Sequence, residues 1–96
     1  MILPNDTIEA NPDLMMADLE GEAVLLDMES GRYFGLNEVG TSVWVLIKEP
    51  RTVSEILQVL KHEYKVDELQ LQQDVMAFLE AMNARQLIQV GEPVHV

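Results

Sequence analysis

Residues 31–40 read Gly31-Arg32-Tyr33-Phe34-Gly35-Leu36-Asn37-Glu38-Val39-Gly40, and this stretch decides the fold. A strand-like run ends in Leu36, Asn37 stands where a helix cap belongs, and Val39 opens a helical apolar period. A short strand is thus set directly against a helix start, just after a Ser30-Gly31 turn. A second signal, Asp74-Val75-Met76-Ala77-Phe78-Leu79, is a helical segment whose apolar residues cover more than one face. A strand edge beside an apolar helix is a surface for binding a peptide rather than for catalysis.

Upstream, Leu14-Met15-Met16-Ala17-Asp18-Leu19 reads as a strand stopped by Glu20-Gly21. Ala23-Val24-Leu25-Leu26-Asp27-Met28 reads as another, stopped by Glu29-Ser30-Gly31, and Arg32 to Leu36 as the third. Glycine at each turn can take positive φ without a Cβ penalty, so two tight antiparallel connections give a meander. Downstream, Val39, Val43, Leu46 and Ile47 share one helical face, ended by Pro50. Thr52-Val53-Ser54-Glu55 matches a capping box, followed by the stripe Val53, Ile56, Leu57, Leu60 and Tyr64. Asp67 and Gln70 bracket a third helix start, running to about Arg85, and Leu87-Ile88-Gln89-Val90 reads as a short strand. The expected architecture is α+β: a three-stranded antiparallel meander, three helices and a short C-terminal strand. Residues 1–12 are expected as an irregular lead-in, 13–90 as the folded domain and 91–96 as a tail. Three helices with a hairpin are also the parts of a winged helix-turn-helix, though here the sheet comes first.

At 96 residues and 48% apolar composition, the chain can form one core but has little room for a deep cleft as well. Its formal charge is −11, and no Lys or Arg precedes Arg32. A nucleic-acid binder needs clustered cations to displace counterions from phosphates, so this chain repels a polyanion. The absence of cysteine removes disulfides, thiolate catalysis and cysteine metal sites, and fits a reducing cytoplasm, the expected location. Apolar runs such as Val43-Trp44-Val45-Leu46-Ile47 are far too short to span a bilayer.

Catalytic constellations are thin. His62-Glu63 resembles the start of a zinc-protease helix, but residue 66 is Val, so the second histidine is missing. His62 is expected to be exposed on the second helix, and His95 to lie in a mobile tail. Ser30 and Ser54 suit a turn and a helix start, and Ser42 has no histidine near it in sequence. Gly31-x-x-x-Gly35 lacks the Gly-Lys-Ser/Thr ending of a phosphate loop. No enzyme activity, metal or other cofactor is expected.

In the third helix Leu71, Val75, Phe78 and Met82 form one stripe, and Leu69, Met76 and Leu79 a second, wider than one core-facing side requires. The extra width admits either deep burial or an exposed apolar groove. Strand alternation puts Arg32, Phe34 and Leu36 on one side of the sheet and Tyr33 and Gly35 on the other. At the end of a meander, the outer backbone groups of this strand are open to an extended peptide, in β-augmentation.

In order and spacing, several elements resemble the PqqD family over about residues 15–90. They are Leu25-Leu26-Asp27, Gly31 to Gly40, Val43-Trp44, Thr52-Val53-x-Glu55-Ile56, Asp74-Val75-x-x-Phe78-Leu79 and Leu87-Ile88. The step Leu36-Asn37-x-x-Gly40 followed by a helix with Trp44 is the most specific piece. The resemblance implies a winged-helix-like domain that binds the leader of a ribosomally made precursor peptide. The leader would lie antiparallel to the third strand and against the third helix. Carried over by position, the binding residues are Tyr33, Phe34, Gly35 and Leu36 on the strand, with Leu71, Asp74, Val75 and Phe78 on the helix. Where the family has Gly before its closing Leu-Ile, this chain has Gln86.

Two uses compete within the family. One delivers a leader to a peptidase or modifying enzyme in lasso-type and related pathways; the wording from Leu25 to Gly40 is closer to this. The other presents the substrate peptide of pyrroloquinoline quinone biosynthesis to a radical S-adenosylmethionine enzyme. A winged-helix transcription regulator is the alternative from another class, which the charge disfavours. Partners are therefore a precursor peptide and its processing enzyme, without nucleic acid or membrane, and self-pairing of the strand into a homodimer is compatible with the pattern. On the sequence alone, Phe34→Asp and Val75→Asp are each expected to abolish leader binding while circular dichroism shows an intact fold.

Overall fold

The computed structural model describes residues 2–19 and 22–91. Its elements are β1 (Thr7–Ala10), β2 (Leu14–Leu19), β3 (Glu22–Asp27), β4 (Tyr33–Leu36), α1 (Glu38–Leu46), β5 (Arg51–Thr52), α2 (Val53–Glu63), α3 (Glu68–Ala84) and β6 (Ile88–Gly91). They form two antiparallel three-stranded sheets, in the orders β2-β3-β4 and β5-β1-β6, with three helices.

The β2-β3-β4 sheet is the expected meander. In the β3–β4 turn Gly31 takes φ +74°, its N–H donates to the Asp27 carbonyl at 2.8 Å, and Asp27 N–H donates to the Arg32 carbonyl at 2.8 Å. The Asp27 carboxylate accepts from the Ser30 hydroxyl at 2.9 Å and from the Glu29 N–H at 3.0 Å. The Ser30 bond, foremost, holds its carboxyl below the ordinary aspartate value. The Glu20-Gly21 turn lies outside the described residues.

The helices start where their caps dictate. The Asn37 side chain accepts from Gly40 N–H at 2.7 Å, and Asp67 accepts from Leu69 N–H at 3.0 Å. Thr52 and Glu55 complete the capping box: Glu55 N–H donates to the Thr52 hydroxyl at 3.1 Å and Thr52 N–H donates to the Glu55 carboxylate at 3.0 Å. The Thr52 N–H bond is the main reason the Glu55 carboxyl titrates below its ordinary value of 4.5. A depressed carboxyl stabilises the fold above that ordinary value, and its contribution is lost as pH falls through the folded value.

One expectation is corrected at the N-terminus. Residues 7–10, read as part of an irregular lead-in, form β1, the central strand of the second sheet, with Ile8 0% exposed. Its partners come from residues 51–52 and 88–91, so the segment has no local strand partner to betray it. The preceding residues are docked as well. Ile2 N–H donates to Glu80 at 2.8 Å, and the first amides of α2 donate to carbonyls of this segment, Val53 to Asp6 at 3.2 Å and Ser54 to Pro4 at 3.1 Å. Gly91, expected in the tail, ends β6 opposite Thr7. His95 and the rest of that tail lie outside the described residues.

One core joins Ile8 and Ala10 of β1, Leu25 of β3, Trp44 of α1, Ile56 and Leu60 of α2, the inner side of α3, and Leu87-Ile88. At the end of α3, Gln86 sits at φ +60°, the left-handed conformation that favours glycine. Leu87 N–H returns to the Met82 carbonyl at 2.9 Å and Gln86 N–H to Asn83 at 3.0 Å, the two bonds of a Schellman motif. Leu87 and Met82, the positions whose apolar side chains accompany this motif, are both buried in the core. Packing thus holds a glutamine in a glycine conformation. Gln86→Gly is expected to raise stability by about 0.5–1 kcal/mol, or several degrees in Tm. A melting curve that stays put or drops would contradict the strain.

Candidate functional site

β4 is the last strand of its sheet, so among the described residues only one of its edges is paired. Asp27 N–H bonds the Arg32 carbonyl, and the register pairs Leu25 with Phe34 and Ala23 with Leu36. In an antiparallel ladder the bonded pairs alternate, so Phe34 and Leu36 direct their backbone groups to β3. Tyr33 and Gly35 direct theirs outward. The side chains alternate as expected: Phe34 and Leu36 are half-buried against the core, while Tyr33 is 66% exposed and Gly35 is open to solvent.

The expected α3 residues divide between the core and the surface. Leu71 and Val75, named from the family pattern as peptide contacts, are 3% and 0% exposed and belong to the core. The buried stripe is Leu71, Val75, Leu79 and Met82 rather than the stripe ending in Phe78 and Met82. Both spacings fit a helix of 3.6 residues per turn. Packing of α3 against α1, α2 and β6 turns Leu79 inward and leaves Phe78 on the flank. On that flank Phe78 is half-buried and Asp74 exposed, where it accepts from Gln70 Nε2 at 2.9 Å. Asp74, Ala77 and Phe78 line a hollow of about 410 Å³ with Asn37 and Val39.

A second hollow, about 680 Å³, is lined by Arg32 and Phe34 at the start of β4 and by Arg85 at the end of α3, with Asp27, Ser30 and Leu87. The Arg85 guanidinium carbon lies 5.4 Å from the centre of the Phe34 ring. Arg85 was not among the sequence candidates. Its spacing of one heptad from Phe78 on the same flank was the available signal.

The specific step from Leu36 to Gly40 has a physical explanation. Asn37 caps α1 immediately after β4 ends, and a Cβ on Gly40 would stand 2.8 Å from the Phe78 ring. Gly40 therefore lets α3 bring Phe78 against the start of α1, beside the strand edge.

Other chemistry is sparse. His62 is exposed, Ser42 shares a 2.7 Å hydrogen bond with the Tyr64 hydroxyl, and Ser54 donates to the Pro4 carbonyl at 3.1 Å. Among the described residues no group of three or more His, Asp or Glu is placed to hold a metal ion, and no helix is long and apolar enough to cross a membrane.

Two mutational expectations follow from this geometry. Val75→Asp would bury an unpaired carboxylate and is expected to cost about 3–5 kcal/mol, unfolding the domain instead of sparing it; a native circular dichroism spectrum would refute that placement. Gly40→Ala gains about 1 kcal/mol of helix propensity but overpacks Phe78 by about 1–3 kcal/mol, so a net loss is expected in urea denaturation. A net gain would mean that Phe78 is not held there.

No curated protein sequence matches the chain. The solved structure of TbiB1 in complex with the TbiA(beta) leader peptide is similar at 32% identity and TM-score 0.72, over 84% of this chain and 94% of that one. A lasso peptide synthetase B1 complexed with its leader peptide is similar at 24% identity and TM-score 0.68, over 85% and 96%. The PqqD truncation of Methylobacterium extorquens PqqCD, a stand-alone recognition element for ribosomally synthesized and post-translationally modified peptides, is similar at 23% identity and TM-score 0.77, over 93% and 95%. The last two share the fold. The model of the family described as coenzyme PQQ synthesis protein D matches residues 22–88, well over half of the sequence, and the chain belongs to the PqqD family.

Proposed function

We propose that this protein is a non-enzymatic adaptor that captures the leader segment of a precursor peptide and presents it to a processing or modifying enzyme. The observation that carries this reading is the outer edge of β4, where Tyr33 and Gly35 offer backbone groups, next to Asn37 and the hollow it lines with the Asp74–Phe78 flank of α3. An extended segment running antiparallel to β4 completes that ladder, and its alternate side chains rest in the two hollows. TbiB1, which holds a leader peptide, supports the reading.

Side chains of Tyr33, Phe34, Leu36, Asp74 and Phe78 border the segment. Gly35 contributes backbone alone, and Leu71 and Val75 support the flank from within the core. Burying about 400 Å² of apolar surface gives roughly 10 kcal/mol gross. Ordering the segment takes back a large part, leaving affinity in the micromolar to submicromolar range. The wording from Leu25 to Gly40 favours a lasso-type pathway, with a leader peptidase or modifying enzyme as the second partner, over presentation to a radical S-adenosylmethionine enzyme, and a lasso peptide synthetase B1 shares the fold. The cytoplasm, where precursors are made, is the proposed location.

Gly35→Pro tests the ladder directly. Proline removes one outward N–H and is tolerated on an edge strand, where no bond to β3 depends on it. Peptides enriched on the wild-type protein from a random dodecapeptide display library are expected to bind this variant about tenfold more weakly or worse, with an unchanged circular dichroism spectrum. Failure to enrich any binder, or binders indifferent to the proline, would overturn the proposal.

A further inference from the structure

Resting on that reading of the groove, we infer that Arg32 and Arg85 form a subsite for a carboxylate side chain, an Asp or Glu in the C-terminal part of the bound segment. The chain has only 6 Lys and Arg against 17 Asp and Glu. Two of the cations are in ion pairs, Arg51 with Glu49 at 4.0 Å and Lys61 with Glu68 at 3.3 Å. Arg32 and Arg85 are in neither, yet both line the hollow where β4 begins and α3 ends. In a molecule this acidic, two guanidinium groups face one hollow without a carboxylate within 4.0 Å among the described residues, and the nearby Asp27 carboxylate, which feels the Arg32 charge only weakly, meets part of that demand.

The nearest objection is Asp27, which lines the same hollow. Its carboxylate already serves the β3–β4 turn, with one oxygen accepting from Ser30 and the other from Glu29 N–H. Asp27 thus has bonds of its own in the turn, and the hollow's formal balance stays positive. Arg85 is further held over the Phe34 ring at 5.4 Å. A guanidinium placed on an aromatic face retains in-plane donors for a bidentate carboxylate.

Direction follows from the opposite end. The hollow at the far end of β4 is bordered by Asp74 and contains no Lys or Arg. The groove therefore runs from a negative end, beside Asn37, to a positive end, beside Arg32. A segment antiparallel to β4 enters at the Asp74 end and leaves past the arginines, which places the acidic residue on its C-terminal side. Charge, as well as strand pairing, thereby selects the register and direction of the segment.

The test is a selection from a random dodecapeptide library whose C-termini are fused to the display scaffold, so that no free terminal carboxylate is present. Wild type and Arg32→Glu/Arg85→Glu are panned side by side, with circular dichroism as the folding control. Wild type is expected to enrich Asp or Glu on the C-terminal side of an alternating apolar pattern, and the double variant to enrich Lys or Arg there. A selected Glu peptide is expected to lose about 10- to 100-fold in affinity when its Glu is changed to Gln or when it meets Arg32→Gln/Arg85→Gln. Binders that depend on Gly35 but show no acidic preference, or an acidic preference that the double variant keeps, would overturn this subsite and leave the groove standing. A library that yields no binder would take both down.

Discussion

A single residue, Asn37, separates the end of β4 from the first turn of α1, and the rest of the arrangement depends on that joint. The side chain that caps the helix at Gly40 N–H belongs to the one residue that joins it to the strand, so the angle between strand and helix has little freedom. Gly40 then admits Phe78, which brings the flank of α3 against the start of α1, just beyond the end of β4. Strand edge and helix flank are thereby held as one unit, although they lie far apart along the chain. A partner segment meets a surface that is already organised, which lowers the ordering cost of binding.

An open edge is also a hazard, since any extended chain can pair with it. Here the exposed strand is only four residues long, and a net charge of −11 opposes the approach of a second copy. The same charge makes the Arg32–Arg85 hollow conspicuous in the molecular field. Affinity in this account comes from backbone pairing and apolar contact, which tolerate many sequences. Selectivity comes from the few charged groups at the two ends of the groove.

The elements that could be read from sequence are those governed by neighbours in the chain. The β2–β3–β4 meander, the Asn37 and Asp67 caps and the Thr52–Glu55 box each rest on residues close together in sequence, and each appears as expected. β1 was missed because its hydrogen bonds go to residues 51–52 and 88–91, and its own Pro- and Asn-rich surroundings suggest a loop. Leu71 and Val75, expected on the binding face of α3, are buried, because its apolar residues fit more than one stripe and only packing against α1, α2 and β6 decides which side meets the core. Gln86 departs from a local rule for the same kind of reason: the return of Leu87 to the core imposes the left-handed turn. Arg85 follows no local pattern that singles it out, and only the fold sets it over the Phe34 ring.

Amide hydrogen exchange along β4, measured residue by residue in the free protein, tests the central claim most directly. Phe34 and Leu36, bonded to β3, are expected to be protected, and Tyr33 and Gly35 to exchange nearly as fast as an open chain until a selected peptide is added. If Tyr33 and Gly35 were already protected without peptide, the edge would be occupied by other means and the account would be wrong.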